Sequence, residues 1–268
     1  MSIFDQKVIK YEMKPLSSLE KVFPDETPVY RMECQMLSGL WGETVSFQVA
    51  YTGDFVMRER LDVRVVSELA EHVHVRTVEM VPVGRATNGI VDDNYLKTIS
   101  GLYPDLLKDL KDGKVIVYSR QWRSLWVDVD ITNEIPAGEY EIELQLIKEG
   151  EVVCSAKQKV TVIGTELPKL DIMHTEWMHA DCLADYYHVE VFSEEHWKLL
   201  ENYFQEYVKR DCNMMLTPLF TSPLDTAIGL ERTTCQLIDV EVKDGEYVFG
   251  FAKLKRWIDL CKKCGIEY

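Results

Sequence analysis

Between residues 174 and 197 the chain reads HTEWMHADCLADYYHVEVFSEEHW, a run rich in Trp, His, Asp and Tyr with no Gly or Pro. Residues two apart on a strand share a face, so in TEWMHAD the side chains of Trp177, His179 and Asp181 fall together. An indole beside an imidazole and a carboxylate suits a sugar: the ring stacks on C–H faces while the polar groups bond hydroxyls. Asp185 and Tyr186 carry the same character into the following loop. A second polar run, LTPLFTSPLDTAIGLERTTCQL, contributes Thr217, Asp225 and Arg232. Asp225 and Arg232 either orient one another or bracket a ligand; alternatively, Asp225 only fixes the SPLDT turn by bonding nearby backbone. The structural reading of the first run puts Trp177 in a core and leaves His179 and Asp181 to cap a loop.

Other chemistries find less in the residues. His174 and His179 are five apart, so on a strand they point to opposite faces and cannot share an ion; His179 with Asp181 makes only two ligands. No metal or cofactor is expected. His72 and His74 read as strand surface, and there is no Gly-rich phosphate loop, GxSxG elbow or HExxH motif. Glu176 lies on the strand face opposite Trp177, which places it poorly for an acid in the same site. The seven cysteines, scattered from Cys34 to Cys264, suit reduced structural thiols better than a disulfide framework. The one CxxC, Cys261 to Cys264, lies near the end of a predicted helix and lacks the second pair that a zinc ribbon needs.

Two kinds of periodicity position these residues. Up to about residue 163 the pattern has period two: Leu125, Val127, Val129 and Ile131 share one face, as do Tyr140, Ile142, Leu144 and Leu146. Turns at IPAGEY and KEGE, a closing strand EVVCSAKQKVTVIG, and earlier strands ETVSFQVAY and RLDVRVV predict an antiparallel β-sandwich over 1–166. GLYPDLLKDLKDG reads as a long connection with a helical turn. From 167 to 268 the period changes. LDIMHTEW is a predicted strand, followed by an amphipathic helix with Trp197, Leu200, Phe204 and Val208 on one face and Ser193 as its N-cap. NMMLTPLF predicts a buried parallel strand, and a hairpin turns at Asp244-Gly245. A last helix turns Leu254, Trp257, Ile258 and Cys261 inward and stops at Gly265. This order opens an α/β domain, but a full (β/α)₈ barrel takes ~250 residues, so the expected fold is a sandwich followed by the first βα units of a truncated barrel.

The formal net charge of −15 disfavours nucleic acid and anionic membrane as partners. The first residues, MSIFDQKVIKYEMKPLSSLEKVF, hold no apolar run of signal-peptide length, and no later run is long enough for a membrane span; a cytoplasmic location is expected.

The runs TEWMHADCLADYYHVEVFSEEHW, NMMLTPLFTSPLDTAIGLERTTCQLIDV and FAKLKRWIDLCKKCGIEY resemble the start of the catalytic domain of glycoside hydrolase family 123. The preceding sandwich resembles that family's N-terminal domain. The resemblance implies a sandwich followed by a (β/α)₈ barrel. It also implies retaining hydrolysis of β-linked N-acetylgalactosamine, with the substrate's acetamido group as nucleophile, an Asp steadying it and an adjacent Glu as acid. No Asp-Glu dipeptide here matches that pair, since Asp25-Glu26 lies in the sandwich. The pair is expected beyond residue 268 and this segment alone is expected to be inactive, contributing a substrate-side wall from Trp177, His179, Asp181, Asp185, Tyr186, Thr217, Asp225 and Arg232. The expected partner is a carbohydrate substrate, with self-association through the incomplete barrel. The alternative is a non-catalytic carbohydrate-binding or interaction module; a metal-dependent hydrolase is a third class.

Overall fold

The computed structural model describes residues 10–28, 36–55, 58–87, 89, 91, 95–169, 171–222 and 226–268. It divides into two compact units, Met1–Leu167 and Pro168–Tyr268. No helix among the described residues is long and apolar enough to cross a membrane.

The first unit is built from two five-stranded sheets. One runs in the order β1 (Lys10–Ser17), β3 (Thr44–Asp54), β8 (Arg123–Asp130), β5 (Val73–Val83), β6 (Gly101–Asp109). The other runs β2 (Met36–Trp41), β10 (Glu151–Glu166), β9 (Gly138–Lys148), β4 (Glu59–Val66), β7 (Lys114–Val117). All pairs are antiparallel except β2 with β10. Alternation in the sequence becomes burial: Leu125, Val127 and Val129 from one sheet, with Ile131 just past its strand, meet Ile142, Leu144 and Leu146 from the other in one apolar core. The β9–β10 hairpin reverses at Glu149-Gly150, both at positive φ, as a two-residue primed turn requires. GLYPDLLKD is not a helical connection but strand β6. It is an edge strand whose pairing with β5 shifts register between Glu79 and Met80, and an edge tolerates Pro104 because one side of the strand has no ladder to supply.

The second unit holds α1 (Ala180–Tyr187), α2 (Glu194–Lys209), the hairpin β11 (Asp239–Lys243) and β12 (Glu246–Gly250), and α3 (Ala252–Cys264). Ser193 caps α2 by accepting the His196 N–H at 3.2 Å, with Glu194 and Glu195 in the first turn. Trp197, Leu200 and Phe204 pack against Trp257, Leu260 and Cys261 of α3, with Phe204 and Trp257 edge to face at 5.0 Å. The expected inward face of α3 is corrected at one position: Ile258 is 41 % exposed, whereas Leu260 is 8 % exposed. Gly265 ends α3 in the left-handed conformation, and Asp244-Gly245 forms the hairpin turn with both φ positive.

Residues 171–177 of LDIMHTEW and 213–220, NMMLTPLF, do not form regular strands. They are extended segments joined by a few backbone bonds. His174 O accepts from Asn213 N at 3.0 Å and Met214 N at 3.1 Å; Tyr268 N donates to Asn213 O at 3.0 Å, and Met215 N to Tyr268 O at 2.9 Å. One residue bonded to both i−1 and i+1 of its neighbour is the parallel pattern. Among the described residues, 168–268 do not display a closed or half-closed barrel. They display three helices, an antiparallel hairpin and this short parallel contact.

Candidate functional site

The strand expected to carry Trp177, His179 and Asp181 gives way to a helix at Ala180, with His179 as its N-cap. Ala180, Leu183 and Ala184 are buried at i, i+3 and i+4, so period 3.6 replaces period two. Asp181 and Asp185, four apart, therefore share a helical face, while Trp177 belongs to the extended lead-in.

That lead-in is held by Tyr207 of α2. Its phenol oxygen accepts the Glu176 N–H at 2.7 Å and lies 2.7 Å from Met214 O and 3.0 Å from Thr175 Oγ1. Both extended segments are thus pinned by one side chain. The start of α1 is fixed by His196, which is fully buried. Phe192 N donates to His196 Nδ1 at 2.8 Å, so Nε2 carries the proton and donates to Ala180 O at 2.9 Å. Burial lowers the His196 pKa and keeps the ring neutral, a tendency that Ala180 O and Asp181 oppose.

The two segments enclose a cleft of ≈ 180 Å³ lined by Trp177, His179, Asp181, Thr217, Phe220 and Arg232, among others. Trp177 is 66 % exposed, so it is not a core residue. Asp181 and Arg232 form a bidentate pair, Nε to Oδ2 at 2.6 Å and a terminal nitrogen to Oδ1 at 3.0 Å, with side chains 8 % and 12 % exposed. Beneath them Cys235 is buried, its N–H donating to Thr221 Oγ1 at 3.0 Å; burial, then the Asp181 charge, push its thiol up to about 12, so it stays protonated.

The structure thus brings Trp177, His179, Asp181, Thr217 and Arg232 to one cleft. Asp185 lies beside it, accepting from Thr233 Oγ1 at 2.8 Å. Tyr186 stands apart from the cleft lining, exposed and edge-on to Tyr187 at 5.0 Å. Asp225 lies outside the described residues. Phe220, Thr221 and Tyr207 were not among the sequence candidates. Phe220 was legible as an aromatic in the same polar run, whereas Tyr207 looked like one more residue of an amphipathic helix. Glu176 is exposed, and its carboxylate lies 3.5 Å from His174 Nε2 rather than in the cleft. Among the described residues no three His, Cys, Asp or Glu side chains converge as a metal site.

Residues 177–268 match the family model described as glycoside hydrolase 123, catalytic domain. A comparison with curated proteins gives no match. Among solved structures, the chain is similar to a family 123 glycoside hydrolase from Clostridium perfringens, studied for glycolipid glycan hydrolysis. Identity is 14 %, the TM-score is 0.70, and the match covers 97 % of this chain but 46 % of that one. The chain therefore spans less than half the length of that enzyme and shares its fold over the matched part. A β-glucosidase from Listeria innocua (10 % identity, TM-score 0.27, 60 % of this chain and 17 % of that one) and the N-terminal domain of PorA (11 %, 0.27, 55 % and 99 %) are too distant in fold to carry an argument.

Proposed function

We propose that this chain, which resembles family 123 glycoside hydrolases, is part of a glycoside hydrolase whose residues 167–268 build one wall of the sugar site. One observation carries the reading: the segment matched by the catalytic-domain model is the one that forms the Trp177–Arg232 cleft. At ≈ 180 Å³ that cleft is smaller than the ~300–1,000 Å³ of a complete ligand pocket, as a single wall should be.

In this reading the exposed Trp177 indole stacks on a sugar face, with His179 and Thr217 as hydroxyl partners. Asp181 is a positioning residue, because both its oxygens accept from Arg232. Asp185 steadies the loop around Thr233, and Tyr186 extends the aromatic surface outward. The parallel contact of Asn213–Met215 with Tyr268 supports the opening of a (β/α)₈ barrel after a sandwich at 1–166. The substrate would be a β-linked N-acetylhexosamine, N-acetylgalactosamine first, cleaved with retention by its own acetamido group. The Asp-Glu pair this requires is assigned to sequence outside 1–268. Asp25 and Glu26 do not fit the role, since Lys97 pairs with them at 3.3 and 2.7 Å in the first unit. No disulfide joins the six described cysteines, which suits a reducing, cytoplasmic setting.

The test compares a longer gene product containing barrel and acid pair with residues 1–268, on chromogenic β-N-acetylgalactosaminide and β-N-acetylglucosaminide. Activity in the longer protein, abolished when its Asp-Glu pair is replaced, is the expected result. A longer protein that binds such sugars and cleaves none would mean a binding module instead.

A further inference from the structure

A second cleft lies in the first unit, remote in sequence from the Trp177 site. It has ≈ 580 Å³ and opens where edge strands β6 and β7 leave the two sheets uncovered. An open sandwich edge is ordinarily filled with apolar side chains or capped by a loop. Here the lining includes Arg60, Lys108, Lys111, Lys114 and Arg123, against the carboxylates of Glu79 and Asp109. In a chain of net charge −15 this is a local reversal of sign.

Two of the cations are already satisfied: Arg60 pairs with Asp112 at 3.0 Å, and Lys114 pairs with Asp62. Among the described residues, Lys108, Lys111 and Arg123 have no ion-pair partner. Arg123 is the most telling of them. Its Nε is buried without a hydrogen-bond partner, while one terminal nitrogen donates to Gln121 Oε1 at 3.2 Å and the guanidinium lies 5.1 Å from the Tyr118 ring centroid. A buried N–H left unpaired is costly, so natural proteins keep few of them. Tyr51, buried at the cleft floor, has its hydroxyl 3.4 Å from Ile116 O, a long contact that leaves it adjustable. An oxyanion in this cleft would lie beside the Arg123 guanidinium and Tyr51, with the two exposed lysines as further partners. Tyr118 and the exposed Leu102 supply apolar surface beside that position.

We propose that this cleft is a second, non-catalytic site for an acidic saccharide, one bearing a carboxylate or sulfate. The anion half follows from the unpaired cations. The saccharide half rests on the glycoside hydrolase reading and on the mixture of aromatic and polar lining. Lysines and an arginine facing one cleft focus field and favour an anionic ligand over its neutral counterpart. The same electrostatics make the preference sensitive to salt.

The experiment is calorimetric titration of residues 1–268 with a hyaluronan tetrasaccharide, with neutral chitotetraose and with sodium sulfate, at 50 and 300 mM salt. The expected result is binding of the uronate-containing tetrasaccharide at least tenfold tighter than that of chitotetraose, and weaker at the higher salt. Lys108→Glu with Lys111→Glu, both at exposed positions, should abolish binding without changing the melting temperature. Arg123→Gln should weaken binding at least tenfold, as read by the same titration. Equal affinity for the two tetrasaccharides, or unchanged binding in the charge-reversed variant, would overturn the proposal. Sulfate binding as tightly as the tetrasaccharide would overturn its saccharide half. Hydrolysis by the longer protein is a separate assay, so failure of the glycosidase reading is distinguishable from failure of this one.

Discussion

Both oxygens of Asp181 are engaged by Arg232, and this decides what each residue of the cleft can do. A carboxylate so committed orients its partner and the loop behind it. Asp181→Asn should therefore destabilise the second unit by about 3 kcal/mol, because it leaves a nearly buried guanidinium uncompensated. Chemical denaturation checks this, and a loss below about 1 kcal/mol would contradict the buried-pair assignment. Trp177→Ala should behave oppositely. The exposed indole contributes little to folding, so stability should change by less than about 0.5 kcal/mol. Under the glycosidase we propose, KM of a longer protein carrying the Asp-Glu pair should rise about tenfold, equivalent to ~1.4 kcal/mol of lost stacking. The residue types were legible: Trp177, His179 and Asp181 do line one cleft. Their geometry was not, because a strand reading places three side chains on a common face. The helix starting at Ala180 instead turns Asp181 toward Arg232, a partner 51 residues away in sequence that local spacing cannot supply.

At the scale of elements, α1 and α2 are joined through one neutral imidazole. His196 has a folded pKa below its ordinary 6.5, so the unfolded chain takes up the proton first as pH falls. Its contribution is present above 6.5 and is lost as pH drops below 6.5 toward the folded-state pKa. The melting temperature of the second unit should fall between pH 7.5 and 5.5 more steeply in the parent than in His196→Gln. Identical slopes would remove His196 from that role. The face of α3 gives a paired prediction: Leu260→Ala should cost about 2–4 kcal/mol, and Ile258→Ala less than about 0.5 kcal/mol. Urea midpoints with unchanged slopes would read both. Caps and the hairpin turn were legible because Ser193, Gly265 and Asp244-Gly245 act locally. β6 was not, since Leu102, Leu106 and Leu110 stand four apart, a helical spacing, and only its neighbour β5 makes the segment a strand. LDIMHTEW and NMMLTPLF read as strands for the complementary reason: their apolar content is right, but in residues 168–268 they pair through only a few backbone bonds.

Over the whole molecule, each unit has its own apolar core, one centred on residues such as Leu144 and the other on Leu200. Calorimetry of residues 1–268 should resolve two transitions. Leu144→Ala should lower one and Leu200→Ala the other, each by more than about 8 °C. A single transition moved equally by both variants would refute independent cores. The hairpin and the residue that follows it leave Val242, Tyr247, Phe249 and Phe251 exposed, and these are the side chains through which we propose self-association. Sedimentation as a single monomeric species at 100 µM would refute that association. Division into a period-two half and a period-3.6 half was legible from the alternation alone. The pairing order of the sheets was not, since it depends on contacts between strands far apart in the chain.

The strand leading out of the sandwich is hydrogen-bonded along both sides, antiparallel to β9 and parallel to β2 as far as Ile163. Tension applied along β10 from its C-terminal end therefore meets two rows of bonds in shear, which must slip together instead of opening one at a time. The sandwich should resist such a pull better than a terminal strand paired on one side would.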